Sequence, residues 1–249
     1  MRATLKDIAK LTGLSITTVS LVLNNKGARF PGETRELVFG AARELNYHPN
    51  QLAVGLLTKQ THTLGLIIPD ITNVFFSELA KGLEDRSRQD RYNIILCNSN
   101  DEYLVEKQCI TTLYDRGVDG IVIAMSAESF GAKNEECLSL LRSLDIPVVL
   151  ADSFNESGDF SALAIDNAEG SRLAVAHLLE LGHRRIACIS GPMGIKTNRD
   201  RLEGYTETLR EAGLPPDPSL IFEGDFRYQS GYAALDQLLK GRPSAIFCH

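Results

Sequence analysis

The segment TLKDIAKLTGLSITTVSLVLNN, residues 4–25, decides the fold of the amino-terminal part of the chain. Thr4 followed by Asp7 has the form of a capping box, which predicts that a helix begins there. Gly13 interrupts the helical pattern, as a turn that needs a positive φ requires. The apolar residues between them fall on one face of the predicted helix: Leu5, Ile8, Ala9 and Leu11.

A second short helix follows, capped by Ser15 and closed by Asn24 and Asn25. Its apolar side chains, which would fix it onto the first helix, are Val19, Val22 and Leu23. Its exposed face then carries short side chains suited to phosphates and base edges: Thr17, Thr18, Ser20 and Leu21. Pro31 precedes a third helix with the apolar stripe Leu37, Val38, Ala41, Ala42 and Leu45. This spacing predicts a helix-turn-helix, with a purely structural helical bundle as the alternative.

The charge is distributed unevenly along the chain. Residues 1–60 carry eight lysines and arginines against four acids, a net charge of +4. The remaining residues carry −10, so that the whole chain has a net charge of −6. A basic head on an acidic body is expected when only the head contacts phosphates, although chance clustering of charges gives the same pattern.

From residue 63 onward, apolar runs alternate with amphipathic stretches of helical spacing. We predict buried strands at 64–69, 93–97, 120–124, 147–151, 162–165, 185–190 and 245–248. Fully apolar strands separated by helices predict an α/β fold with a parallel, doubly wound sheet. Such sheets bind small molecules at the loops beyond the carboxyl ends of their strands.

Other classes of site lack their sequence signals. The five cysteines show no C-x-x-C spacing, so neither a disulfide framework nor a metal site is expected. No phosphate-binding loop, nucleophile motif or dinucleotide motif is present, which argues against an enzyme, and no cofactor is expected. The sequence MRATLKDIAK lacks the apolar run of a signal peptide, and no apolar run is long enough for a membrane span. We therefore expect a cytoplasmic protein without a membrane partner.

The chain resembles the lactose/galactose repressor (LacI/GalR) family of transcriptional regulators. The resemblance lies in TLKDIAKLTGLSITTVSLVLNNKG, ETRELV and ELNYHPNQLA, and continues through LGLIIPDITNVFF, RGVDGIVI and IDNAEGSRLAVAHLLELGHRRIACISGP. It implies a helix-turn-helix domain at 1–49 and a hinge helix with linker at 50–60. It also implies a sensor domain like the periplasmic binding proteins, with lobes at 61–160 and 161–249. Family chains continue beyond His249, so we expect a carboxyl-terminally truncated chain whose second lobe is incomplete.

The resemblance also implies which residues meet DNA. Base contacts match Ile16, Thr17 and Leu21, and contacts nearer the phosphates match Thr18, Ser20 and Asn24. Further DNA-binding positions are Thr4, Ser15, Arg29 and Asn50. Leu21 departs from the family's frequent arginine or histidine, and leucine offers only apolar contact to a base. Leu56 matches a leucine that wedges into the minor groove, although residues 50–57 can also be read as a plain linker.

Eight effector-binding positions are expected at the loops after the strands. Asn73, Phe75 and Phe76 follow the first strand, where two aromatic rings can stack on a sugar or base, although one of them can equally belong to the core. The other positions that match the family's pocket are Ser126, Asp152, Thr197, Arg201 and Phe226. Ile195 stands where purine-type relatives have a ligand-contacting arginine, so the effector cannot be copied from them.

We therefore expect a sequence-specific DNA-binding transcriptional regulator, a repressor whose operator affinity is controlled by a small-molecule effector, a sugar or related metabolite. A homodimer on a palindromic operator is expected, because one short helix reads too few base pairs. The alternatives are an enzyme, a solute-binding protein without a DNA role, and a DNA-binding protein with an inactive sensor.

Overall fold

The computed structural model describes residues 3–24, 30–48, 60–130, 133–153 and 158–249. The chain divides into two compact units, residues 1–61 and 62–249. The first unit is helical, and the second combines helices with parallel strands. Across the described ranges, no helix combines the length and the apolar character needed to cross a bilayer.

Three helices build the described part of the first unit: α1 (Leu5–Thr12), α2 (Ile16–Leu23) and α3 (Gly32–Glu44). Their buried side chains form one core of Ile8, Ala9, Val19, Val22, Val38, Ala41 and Ala42. The predicted apolar faces were wrong at two positions, because Leu11 is 49% exposed and Leu37 is 51% exposed. At about 100° per residue, each lies roughly a quarter of a turn away from its helix's buried face.

The local signals that begin and end these helices are confirmed. The backbone N–H and the hydroxyl of Thr4 donate to the Asp7 carboxylate at 2.8 and 2.7 Å, and these bonds hold the pKa of Asp7 below its usual value. Gly13 has a φ of 70°, which ends α1 in the left-handed region. Ser15 Oγ accepts a hydrogen bond from the N–H of Thr18 at 3.0 Å and caps α2.

The second unit contains two parallel sheets in its described residues. The first sheet has the order β2-β1-β3-β4-β5 and the second has the order β7-β6-β8. The strands are β1 (Thr63–Ile68), β2 (Asn93–Asn98), β3 (Gly120–Ile123), β4 (Val148–Ala151), β5 (Ser161–Leu163), β6 (Ile186–Ser190), β7 (Ile221–Glu223) and β8 (Ala245–Cys248). The predicted α/β class with parallel pairing is therefore confirmed.

Helices cover the faces of both sheets. They are α4 (Val74–Gln89), α5 (Tyr103–Asp115), α6 (Asn134–Arg142), α7 (Asn167–Glu180), α8 (Lys196–Glu211) and α9 (Tyr228–Leu238). The core of the first sheet joins Ile67 and Ile123 to Ile110 of α5. In the second sheet, the buried Tyr205 of α8 donates its hydroxyl to the Ile186 carbonyl at 2.8 Å. These contacts fix each helix on its sheet and so position the loops between them.

Two features of the sheets differ from prediction. The segment at 162–165 was expected to be a buried strand, but Leu163 is 65% exposed because β5 is the outer strand of its sheet. Strand β7 was not predicted, because three residues give no recognisable apolar run. Since β5 pairs with β4, the first sheet extends beyond residue 160, where the first lobe was expected to end.

Helices α7 and α8 cross at unusually close range. A Cβ atom added to Gly204 of α8 would lie 2.2 Å from the carbonyl oxygen of Ala168 in α7. Only glycine allows this approach, because real Cβ atoms do not come within about 3 Å of a backbone oxygen. The crossing determines where the first turns of the two helices meet.

Candidate functional site

Helix α2 presents a row of short side chains away from the core of the first unit. Val19 and Val22 are buried between α1 and α3. Thr17 is exposed, Ile16 is 45% exposed, and Leu21 is half-buried without packing on the described core. At about 100° per residue, Thr17 and Leu21 lie one turn apart on the side opposite Val19. The helix therefore offers an outward surface of methyl and hydroxyl groups.

The remaining polar side chains of α2 bond within the helix. The Ser15 hydroxyl caps the helix and lies 2.9 Å from the Thr18 hydroxyl. Asn24 Nδ2 donates to the Ser20 carbonyl at 2.9 Å and so closes the last turn. These bonds stabilise the ends of α2 and leave its middle turn as the part that projects free side chains.

Exposed cations accompany this surface on the neighbouring helices. They are Lys6 and Lys10 of α1, and Arg35 and Arg43 of α3. Such side chains suit phosphate contacts, which position a protein on DNA without reading its sequence. The predicted DNA contacts Arg29, Asn50 and Leu56 lie outside the described residues and stay predictions.

A cleft of about 1050 Å³ opens in the second unit at the carboxyl ends of the strands. Its walls come from the loops after both sheets, as expected for ligand sites of doubly wound folds. Seven of the eight predicted effector residues line it: Asn73, Phe75, Phe76, Asp152, Thr197, Arg201 and Phe226. The two sheets thus contribute side chains to one site from opposite sides.

An acidic and a basic side chain, Asp152 and Arg201, both line the cleft. Asp152 has a left-handed φ of 51°, and its buried Oδ1 has no hydrogen-bond partner in the described part of the chain. Burial raises the pKa of the Asp152 carboxyl, and the charge of Arg201 partly offsets that rise. Arg201 Nε donates to Oδ1 of Asn167 at 2.6 Å. The first residue of α7 therefore holds the guanidinium of α8 in position.

Aromatic rings form the outer walls of the cleft. Phe75 and Phe76 pack edge to face with 5.1 Å between ring centroids, and Phe75 is 41% exposed. Phe226 has a φ of 63° and is 50% exposed. Its ring lies so close to Gly191 that an added Cβ atom would be 2.3 Å from Cζ. Both sides therefore offer apolar surface to a ligand.

Ser126 does not line the cleft, so its prediction as an effector contact is corrected. Its side chain is fully buried, and its hydroxyl lies 2.8 Å from that of Ser129. The carboxylate of Glu106, also fully buried, accepts from the Ser126 N–H at 2.5 Å, from the Ser129 hydroxyl and from Cys137 Sγ. Ser126 therefore helps to hold the loop after β3 in place through its bonds to Glu106 and Ser129.

Sequence reasoning missed several residues of the site. Asn198 lines the cleft, is fully buried, and donates from Nδ2 to the Pro192 carbonyl at 2.9 Å. Its place beside Thr197 and three residues before Arg201 was the available signal, because one helix turn brings these positions to one side. The sequence pattern could not predict that Glu106 is buried, because an acid in an amphipathic helix normally faces solvent.

Two features of the described residues bear on catalytic chemistry. No cluster of His, Cys, Asp and Glu residues that could hold a metal is found among them. Burial raises the pKa of the Cys137 and Cys188 thiols, which disfavours the reactive thiolate. The cleft is equipped to bind a small molecule through hydrogen bonds and ring contacts.

Comparison with known families places both units. The family described as "Bacterial regulatory proteins, lacI family" matches residues 4–50. The family described as "Periplasmic binding proteins and sugar binding domain of LacI family" matches residues 61–249. The two matches together cover most of the chain.

Individual relatives agree with these families. Catabolite control protein A of Priestia megaterium is 38% identical over 250 residues, covering 99% of this chain and 74% of the relative. The HTH-type transcriptional repressor PurR of Vibrio atlanticus is 38% identical over 250 residues, covering 99% of this chain and 73% of the relative. The lac repressor dimer bound to operator and the anti-inducer ONPF gives a TM-score of 0.84 at 25% identity, covering 100% of this chain and 74% of that one. The structure of a transcriptional regulator CelR–cellobiose complex gives a TM-score of 0.65 at 29% identity, covering 99% of this chain and 74% of that one.

Proposed function

The chain belongs to the lacI family of bacterial regulatory proteins, and we propose that it reads its operator with the outward face of helix α2. It is a sequence-specific DNA-binding transcriptional regulator with an effector-binding domain, and not an enzyme. The family expected from the sequence is confirmed.

The observation that carries the DNA proposal is the outward face of α2. A helix-turn-helix places its second helix in the major groove, where side chains on the exposed side meet base edges. Thr17 and Leu21 occupy that side, and Ile16 is exposed at the first turn of the helix. Lys6 and Arg35 are exposed on the two neighbouring helices and supply phosphate contacts. We assign base reading to the first group and positioning to the second.

The operator is proposed to be an inverted repeat bound by a homodimer. One eight-residue helix contacts too few base pairs for useful specificity, so two copies are needed. The lac repressor relative is described as a dimer bound to operator, which supports the same arrangement here. A regulator of this kind works where bacterial DNA is, so we propose a cytoplasmic location and transcriptional repression as the output.

Selection from a random duplex pool tests this proposal. After several rounds at about 0.15 M salt, the enriched sequences are expected to contain two half-sites related by a twofold axis. Light scattering of the complex is expected to give two chains per duplex. A pool without any enriched motif would contradict sequence-specific reading, and a single half-site with one chain would contradict the dimer.

The ligand proposed for the cleft is a sugar or a related polyhydroxylated metabolite. Asp152 supplies an acceptor, Arg201 supplies paired donors, and Thr197 supplies a hydroxyl. Phe75 and Phe226 add apolar walls, a combination that suits a ring bearing hydroxyl groups. Ile195, only 8% exposed, forms an apolar wall where purine-type relatives would offer an arginine. A related regulator is described as a cellobiose complex.

Thermal shifts with D-glucose, D-galactose, D-ribose, cellobiose and hypoxanthine test the ligand class. A ligand at 100 times its Kd stabilises the folded state by about 2.7 kcal/mol, enough for a clear rise in Tm. We expect a sugar to raise Tm in the wild type and in Arg210→Ala, an exposed arginine of the same helix, but not in Arg201→Ala. A rise with hypoxanthine alone would contradict the sugar assignment.

Effector control is proposed to act on the DNA-binding state. A ligand that binds one arrangement of the two lobes more tightly shifts the population toward it, and the hinge at 50–60 passes that shift to the first unit. Measuring operator affinity with and without the ligand found by thermal shift tests this step. An unchanged affinity at saturating ligand would contradict it.

A further inference from the structure

The base-reading helix of this protein is apolar and uncharged. The sequence of α2, ITTVSLVL, contains no acid, no lysine or arginine, and no amide. Bidentate hydrogen bonds to guanine need arginine or lysine, and those to adenine need asparagine or glutamine. Helix α2 therefore cannot make the paired hydrogen bonds by which most regulators distinguish bases.

The hydroxyl groups of Ser15, Thr18 and Ser20 are committed within the helix, whereas the exposed Thr17 keeps its hydroxyl on the outward face. Ser15 and Thr18 bond to each other at the first turn. Asn24, which follows the helix, bonds to the backbone carbonyl of Ser20 at 2.9 Å and lies 3.3 Å from its hydroxyl. The side chains that project from the middle of the helix are thus mainly carbon.

Leu21 is the centre of this projecting surface. It is half-buried but does not belong to the side chains that pack on the described core of the first unit. Thr17, one turn earlier, brings its methyl group to the same side. Ile16 is 45% exposed next to it. Thr17 and Leu21 form a ridge of methyl groups on the side of α2 that faces away from the core, and Ile16 adds an exposed apolar side chain at the first turn.

The major groove contains one matching apolar group. Among the edges that the four base pairs display there, the 5-methyl group of thymine is the only apolar one. Building on the DNA-binding role proposed above, we propose that the methyl ridge of α2 recognises thymine 5-methyl groups, with Leu21 as the specificity-determining residue. Sequence reading by α2 then depends on methyl burial rather than on paired hydrogen bonds.

The expected effect follows from the size of one methyl group. Burying a CH₂-sized group stabilises a complex by about 0.8 kcal/mol, which is about fourfold in affinity. Replacing one contacted thymine by deoxyuridine removes only that methyl and leaves every hydrogen-bonding group in place. We expect about fourfold weaker binding for one half-site and roughly fifteenfold for both. A cytosine in place of that thymine should bind weakly, and 5-methylcytosine should recover part of the loss.

The experiment uses the full chain and the operator obtained by selection. Each thymine of one half-site is replaced in turn by deoxyuridine, and affinities are measured by fluorescence anisotropy at fixed salt. Wild type should lose about fourfold at one or two positions, whereas Leu21→Ala should bind the thymine and uracil duplexes equally. Lys10→Ala, a control outside α2, should weaken both duplexes while keeping the fourfold difference.

The outcomes separate the two proposals. A selected operator whose thymines all tolerate uracil within 1.5-fold, on the order of experimental error, overturns methyl reading and leaves DNA recognition standing. A methyl effect that persists unchanged in Leu21→Ala, with Tm equal to wild type, overturns the role of Leu21. Failure to select any operator overturns both the DNA-binding assignment to α2 and the inference built on it.

Discussion

Replacing Gly204 by alanine is expected to separate helices α7 and α8. The new Cβ atom would lie 2.2 Å from the carbonyl oxygen of Ala168 and 3.0 Å from Cβ of Ser171. The first of these contacts is with rigid helix backbone, so no side-chain rotation can relieve it. The helices have to move apart by about 1 Å to restore a normal contact.

The free-energy cost of the Gly204→Ala clash is partly offset by the higher helix propensity of alanine. Overpacking a well-filled site costs about 1–3 kcal/mol, and a backbone clash belongs at the upper end. Glycine to alanine inside a helix gains about 1 kcal/mol. We therefore expect Gly204→Ala to lower the free energy of unfolding of the second unit by about 1–2 kcal/mol.

A matched control lies in the neighbouring helix. Gly170 of α7 has open space where its Cβ would be, so Gly170→Ala should gain up to about 1 kcal/mol. Urea unfolding followed by circular dichroism at 222 nm gives the free energies, because the chain has no tryptophan. Hydrogen exchange of peptides from α7 and α8 assigns the change to the crossing.

The same substitution should weaken ligand binding. The Arg201–Asn167 bond of 2.6 Å spans the two helices one turn from the clash, so separating them releases the guanidinium. If Gly204→Ala is as stable as Gly170→Ala, with unchanged exchange in both helices, the close crossing and the reasoning built on it are wrong.

Three further changes follow from single contacts. Ser15→Ala removes the cap that accepts the Thr18 N–H, and should lower the stability of the first unit by about 1 kcal/mol, measured by hydrogen exchange in α2. Tyr205→Phe removes a buried hydrogen bond to strand β6 and should cost about 1 kcal/mol in urea unfolding; an unchanged midpoint would contradict this. Because burial raises the pKa of Asp152 more than Arg201 lowers it, ionised Asp152 opposes folding above the unfolded pKa near 4. Asp152→Asn should therefore be more stable than wild type at pH 7 but not at pH 4, and an equal difference at both pH values would refute it.

Local signals in the sequence were sufficient to place the ends of the first two helices. The capping box at Thr4, the turn at Gly13 and the cap at Ser15 each depend on neighbouring residues only, so they could be read directly. Leu11 and Leu37 were misplaced because an apolar residue near the edge of a stripe is buried only if a partner helix reaches it. That partner is set by the tertiary fold.

The second unit was predictable in class but not in detail. Alternating strands and helices fixed parallel pairing, yet the order of the strands depends on contacts far apart in sequence. The edge position of β5 and the brief β7 followed from that order. Seven of the eight residues expected from the family resemblance line the cleft, while the buried roles of Ser126 and Glu106 emerged only from the side chains around them.

The outward face of α2 as the reader of DNA is tested most directly by a ratio of affinities. The ratio compares the selected operator with a scrambled duplex of equal length and charge, at one salt concentration. For Thr17→Ala/Leu21→Ala, we predict that the ratio falls toward 1 while affinity for the scrambled duplex stays at the wild-type value. An undiminished ratio in the double variant would contradict the account.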